Sequence, residues 1–283
     1  MIWTLYDKIR RLISRLYYRL LGNKIQVGKN SQAIGLRVGC FDRNNIVLLG
    51  ESKLILEDDV VLKGCDIKLI DSELYIKKDS HLDNVKLEMV SSKCEFSKKV
   101  SILRYSISIF QSQFSVRDYT QLKREEPFRS TILIDNSQLV IGNNNVIKCD
   151  FAIRFGGVCS IGQYNCINEG SDLRCDQSIT IGDYNMISYN CNIWDTNTHT
   201  MYGANYRRNL LLEYSSNIGA EKESPKTKPV IIGNDCWISK NVSILKGTNV
   251  DDEVVIGLGS ILSNQIVKKG QVVVPHKAII LTK

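Results

Sequence analysis

The chain has 283 residues, 43% apolar and 24% charged, with a formal net charge of +7. That apolar content suits one large or two modest globular domains. The mild charge, with no basic stripe interleaved with aromatics beyond the first residues, argues against a nucleic-acid partner. Nine scattered cysteines without a C-x-x-C pair fit a reduced, cytoplasmic chain in which they pack as small apolar residues, and they make a zinc site a poor reading.

The chain opens "MIWTLYDKIRRLISRLYYRLL". Apolar residues at Ile2, Leu5, Ile9, Leu12, Ile13, Leu16 and Leu20 recur at helical spacing, with most of the arginines on the other side. The spacing predicts an amphipathic helix over residues 1–24. It is too charged and too short in apolar run to span a membrane, and it lacks the form of a signal peptide. Two roles stay open: a cap on the open end of the downstream domain, or peripheral contact through residues 1–21 with the inner face of the cytoplasmic membrane.

A repeat occupies the rest. "VIGNNNVIK", "SIGQYNCIN", "TIGDYNMIS" and "IIGNDCWIS" share one template: apolar, Gly, a few mostly polar residues, apolar. Ile141, Ile161 and Ile181 are twenty residues apart, as are Leu56, Ile76, Phe96 and Val116 upstream. Within a coil the beats fall at Ile161, Ile167 and Leu173, then Ile181, in steps of six, six and eight. The coil from Phe96 keeps Ile102 in phase but puts Ser108 in the third apolar place. From Ile232 the beats run at six through Ile238, Ile244, Val250, Ile256 and Leu262. A six-residue beat suits a triangular coil of three short strands with one inward side chain each, stacked into about eleven coils. Glycine after the inward residue (Gly142, Gly162, Gly182, Gly233) would supply a permissive backbone at a corner. The coils of residues 25–135 are degenerate; those of 136–283 are regular.

The beats, and above all "PVIIGNDCWISKNVSILKG" followed by "VVIGLGSIL", resemble the hexapeptide-repeat acyltransferases. The close resemblance covers about residues 138–274; upstream only the period matches. It implies a left-handed parallel β-helix, a homotrimer and acetyl-CoA as the acyl donor. "ISYNCNIWDTNTH", an excursion, then "PVIIG" are most similar to the sugar and polysaccharide O-acetyltransferases of that family.

After Ile193 the inward beat stops for nearly forty residues and resumes at Ile232. A loop that long inside a compact repeat, here residues 194–229, is functional or unordered. Acyl transfer to a hydroxyl needs a base, and histidine is the side chain whose ordinary pKa lies near neutrality. The resemblance makes His199 that base, with Asp195 to orient its ring as the acid does in a hydrolase triad. His81 and His276 lie outside this segment. Asn190 matches a family asparagine near the acceptor hydroxyl, or serves as corner turn chemistry. Trp237 matches an aromatic beside the histidine, or is a trimer contact. Tyr202 and Arg207 lie in the loop that would face the acceptor.

For the donor, the resemblance points to the wall from Ser239 to Ser260, where Gly257 and Gly259 would admit a pantetheine arm. Lys246 and Lys268, with Lys269, would meet its phosphates. Two departures stand out: "WISKN" places Ser239 and Lys240 where the family has Gly-Ala, and "VVVPHKAIILTK" lacks the usual G-N-P-A element. The expected activity is transfer of an acetyl group to a sugar hydroxyl of a glycan or polysaccharide precursor. The competing readings are N-acylation of an amino sugar or nucleotide sugar, inactivation of a small antibiotic, and a non-catalytic scaffold. A zinc-dependent relative of the same fold would need three converging histidines, and these three lie far apart along the stack.

Overall fold

The computed structural model describes residues 53–63, 66–71, 73–84, 86–90, 93–103, 105–123, 130–213 and 225–275, with the backbone of strands Lys24–Val27, Gln32–Ile34 and Asn45–Leu49. The expected amphipathic helix at the N-terminus and His276 lie outside these residues.

Three parallel sheets, two of eleven strands and one of ten, run the length of the molecule. Each turn from Asn45 on contributes one strand to each sheet, so the chain winds into a three-sided parallel β-helix. The first sheet contains Asp172–Cys175, Asn192–Trp194 and Ser243–Leu245. The second contains Ser178–Ile181 and Val230–Ile232, and the third Met186–Ile187 and Trp237–Ile238. At about 4.8 Å per coil, the stack is about 50 Å long.

The registers are those that the spacing predicts. Leu56 pairs with Ile76, Ile76 with Phe96 and Phe96 with Val116; Ile141 pairs with Ile161 and Ile161 with Ile181. Ile181 pairs with Ile232 across the long excursion, which leaves the ladder in phase. The inward residues form one continuous apolar column system from Leu54 to Val267. The expectation at Ser108 needs correction. Ser108 faces outward, and Ile107 and Ile109 beside it are buried; Ile107 pairs with Leu87 and Ile132. The third beat of that coil therefore arrives one residue early, and the next step is longer by one.

The glycines also act differently from the expectation. Gly142, Gly162, Gly182 and Gly233 are absent from the left-handed region; Asn144, Tyr164, Tyr184 and Asp235, two residues on, have φ of 56°, 57°, 60° and 57°. The next coil is what excludes a side chain at these glycines. A Cβ on Gly162 would lie 2.7 Å from the Gly182 carbonyl oxygen, and one on Gly182 would lie 2.7 Å from that of Gly233.

Inside the same corner a buried asparagine column closes the polar accounting. The Asn165 N–H donates to Oδ1 of Asn145, the Asn185 N–H to Oδ1 of Asn165, and the Cys236 N–H to Oδ1 of Asn185, all at 2.8–2.9 Å. Each amide nitrogen donates in turn to a glycine carbonyl one coil on: Gly162, Gly182 and Gly233. A stacked ladder satisfies every buried group except those at its ends, which is why asparagine recurs at this place in the template.

Candidate functional site

The excursion leaves the helix at the corner between the first and second sheets. Asp195 follows the strand Asn192–Trp194 and is fully buried. Its carboxylate accepts three main-chain N–H groups of the preceding coil: Asp176 on Oδ1 at 2.8 Å, and Gln177 and Ser178 on Oδ2 at 2.8 and 2.6 Å. Burial pushes this carboxyl above the ordinary aspartate range, against the pull of the three N–H donors. Beside it, Asp176 receives both Nε and Nη2 of Arg154, at 3.0 and 2.8 Å, and the Thr196 hydroxyl at 2.7 Å.

The two strands of the excursion are joined at this point. Thr196 and Thr227 form an antiparallel bridge; the Lys228 N–H donates to the Asp195 carbonyl at 2.9 Å and the Asn197 N–H to that of Lys226 at 3.1 Å. The Thr227 hydroxyl donates to Oε1 of Gln177 at 2.7 Å. The result is a pinned neck. Just past it, Thr198 turns the chain at φ 65°, and His199 is exposed. Tyr202 and Tyr206 pack ring to ring at 4.9 Å, and a helix, Ala204–Glu213, follows with no buried residue. Arg207 is in its exposed first turn.

Of the other expected site residues, only Lys246 shares the corner of the neck. Asn190 belongs to the corner between the third and first sheets, in a column with Gly170, Asn241 and Gly259 that all have φ between 57° and 72°. Its amide nitrogen reaches Oδ1 of Asn241 at 3.4 Å, so corner turn chemistry accounts for its backbone. Ser239 and Gly257 open the same corner one and two coils on, their N–H groups donating to Ile256 and Val273 carbonyls. Ser260 is corrected: it is buried, and its hydroxyl donates to the Gly257 carbonyl at 2.7 Å, closing the turn instead of lining an outer groove.

Lys246 is half-buried at the corner of the first and second sheets, in the coil after the excursion. Lys268 is exposed at the corner of the second and third, 3.8 Å from the Asp251 carboxylate. Trp237 stands 57% exposed on the third sheet, between Met186 and Val255. That face is opposite the neck. One chain brings Lys246 to the corner of its own neck and holds Lys268 and Trp237 away from it.

The first face does join the Asn190 corner to the neck, and it carries residues that the periodicity passed over. Arg174 lies 4.9 Å from the Trp194 ring, its Nε held by Asp172 at 2.6 Å. Asn192 reaches the Ser243 hydroxyl at 3.3 Å. Trp194 Nε1 and Thr200 Oγ1, flanking the Asp195–His199 segment, are buried atoms without a hydrogen-bond partner, as is Thr248 Oγ1 at the corner one coil beyond. Buried polar atoms of this kind normally find partners. The sequence signal was the outward phase of Trp194, next to the inward Ile193. Burial pushes the thiols of Cys94, Cys149, Cys159, Cys175 and Cys191 upward, which removes them as nucleophiles.

No family model matches the chain. Among curated proteins it is 35% identical, over 89 residues, to a protein of Lysinibacillus sphaericus provisionally described as a macrolide acetyltransferase; this covers 28% of the chain and 49% of that protein. It is 23% identical over 120 residues to WcaF of Escherichia coli K12, provisionally described as a colanic acid biosynthesis acetyltransferase, covering 42% and 56%. The chain thus spans about half the length of the curated relatives it matches. Those relatives are acetyltransferases, in keeping with the resemblance of the repeat to the hexapeptide-repeat acyltransferases. Among solved structures, the polySia-specific acetyltransferase NeuO aligns over 83% of the chain and 79% of its own length at 18% identity and TM-score 0.38. The polysialic acid O-acetyltransferase OatWY aligns over 92% and 94% at 17% identity and TM-score 0.30. Both scores are too low to carry residues across.

Proposed function

We propose that this protein transfers an acetyl group from acetyl-CoA to a hydroxyl of a glycan, with His199 as the general base. The observation that carries the reading is an exposed histidine three residues beyond a bridge that pins the excursion to a buried carboxylate. A base must be held within hydrogen-bond reach of the hydroxyl it deprotonates, and a pinned neck supplies that constraint. His199 takes the acceptor proton as the oxygen attacks the thioester carbonyl. The tetrahedral intermediate collapses, the C–S bond breaks, and the imidazolium returns the proton to the departing thiolate.

Asp195 acts in this scheme through the backbone it holds, since its oxygens are engaged by amides. Asn190, Tyr202 and Arg207 are assigned to the acceptor; Ser239, Lys246, Gly257 and Lys268 to the donor. Because Trp237 and the third face lie opposite the neck, a complete cleft is assigned to two adjacent copies in a homotrimer. Residues 1–21 are assigned to contact with the inner face of the cytoplasmic membrane, where glycan precursors are assembled.

The test is thiol release from acetyl-CoA with a panel of glycan, amino-sugar and macrolide acceptors. Release with an oligosaccharide or polysaccharide, lost in His199→Ala, is the expected result. Release only with an amine would move the reading to N-acylation, and release only with a macrolide to antibiotic modification. Turnover by His199→Ala at the wild-type rate would overturn the assignment of the base.

A further inference from the structure

The ridge between the second and third sheets repeats one backbone geometry in coil after coil. Its turn residues with positive φ are Asp59, Asp79, Lys99, Tyr119, Asn144, Tyr164, Tyr184, Asp235 and Glu253. Asparagine and aspartate suit this region; a bulky side chain there is an outlier. Tyr119, Tyr164 and Tyr184 nonetheless hold φ of 57°, 57° and 60°, and their rings are 49%, 50% and 52% exposed. Rings so exposed contribute little to a core, and their backbone is strained. Residues kept in strained backbone cluster where a ligand is met.

The contacts between coils show which ring faces are taken. Tyr164 and Tyr184 stack parallel, centroids 5.0 Å apart and 3° from coplanar. The Lys99 ammonium lies 5.0 Å from the Tyr119 centroid. Lys99 is one coil before Tyr119, and Tyr184 one coil after Tyr164. The remaining faces of Tyr119 and Tyr164 therefore look toward each other across the coil between them, where the ridge residue is Asn144. Main-chain bonds keep the three turns in register: the Asn144 N–H donates to the Asp118 carbonyl and the Tyr164 N–H to that of Asn143, each at 3.0 Å.

The geometry points to a sugar-binding slot walled by Tyr119 and Tyr164 and floored by Asn144, which holds one pyranose unit of a glycan. Two coil spacings separate the walls by about 9.6 Å. A flat aromatic guest needs about 3.5 Å to each wall, roughly 7 Å in all, and would touch only one of them. A puckered ring with axial C–H groups on both faces fills the wider gap. The half-buried Asn144 carries an amide that can both donate and accept, as sugar hydroxyls require. The flanking charges do not demand a polyanion, since Lys98 is 3.8 Å from the Asp118 carboxylate.

The slot lies two to three coils before the excursion, one face-width from its neck. It deepens the proposed function, on whose glycan acceptor it rests: the slot grips the chain at a distance while a hydroxyl several units away meets His199.

The experiment is binding of the full-length protein to an array of bacterial capsular, exopolysaccharide and lipopolysaccharide glycans, beside the Tyr119→Asn/Tyr164→Asn double variant. Asparagine is what the chain itself places at 144, so the melting temperature should hold or rise. The expected result is retention of at least one glycan class by the wild type, weakened tenfold or more in the variant. Retention of no glycan, unchanged binding by the variant, or a preference for single-stranded oligonucleotides would overturn the slot. A fall in melting temperature with binding unaltered would make the rings structural and would overturn it as well. Thiol release on the same samples separates the two ideas. Glycan retention without any acetyl transfer would defeat the proposed function and leave the slot; transfer to a short sugar without glycan retention would do the reverse.

Discussion

Asp195 shows how one buried side chain can tie the start of a long excursion to the coil before it. Three amide N–H groups converge on its two oxygens in a fully buried place. Asparagine has one carbonyl oxygen and would turn an NH2 group toward at least one of those donors. Asp195→Asn should therefore cost about 2–4 kcal/mol, in line with orphaning one or two buried donors to a charged acceptor. Urea denaturation measures this, and a loss under about 0.5 kcal/mol, within the range of a neutral surface change, would deny the bracing role. The sequence marked Asp195 as chemically interesting because it lies four residues before the histidine. The better sign was its phase: it follows Ile193 by two and so points inward. Phase also betrays Ser260, which takes an inward corner place.

At the scale of elements, the described part of the excursion is joined at its neck by the Thr196–Thr227 bridge and the main-chain bonds beside it. The helix Ala204–Glu213 buries nothing, and its sequence ANYRRNLLLE has no stripe for the prism to cover. That lack of a one-sided pattern is why the break was legible as a length but the helix inside it was not. Replacing residues 198–225 by a short Gly/Ser turn should leave the melting temperature within a few degrees, while acetyl transfer is abolished. A collapse of the fold would show that the excursion is part of the core; retained transfer would place the chemistry elsewhere. Coil geometry was legible in outline. The apolar period gave the anchors of most coils, yet the misfit at Ser108 came from a corner one residue shorter, shared by Ile67 and Leu87 five residues after Leu62 and Leu82, and a fixed template cannot register that. Glycine was read as a conformational need, while the true constraint is the next coil, a contact between residues twenty or more apart at Gly142, Gly162 and Gly182.

For the molecule as a whole, each coil is stable only against its neighbours, so stability is a property of the stack. Phe114 meets Phe96 edge to face at 5.7 Å in the middle of it. Phe114→Ala should cost about 3–5 kcal/mol. Because the loss falls on one interface, amide exchange should quicken first in the coils on either side, around Cys94 and Leu139, which pair with it. Uniform acceleration along the chain would contradict a locally coupled stack. The stack also explains the limit of a sequence reading for the site. Residues widely separated on three corners look like one wall when written as a line, and only the winding shows that Lys246, Lys268 and Trp237 occupy different edges and faces.

The proposed donor site, coupled to an exposed base, is tested without knowledge of the acceptor by acetyl-CoA titration calorimetry with His199→Ala alongside. Saturable binding near one site per chain, equal in both proteins, is the expected result, with acetyl transfer to an acceptor, read as thiol release, confined to the wild type. No binding up to millimolar acetyl-CoA would contradict it, and would give the altered "WISKN" and C-terminal segments their meaning as the mark of a chain that does not use this donor.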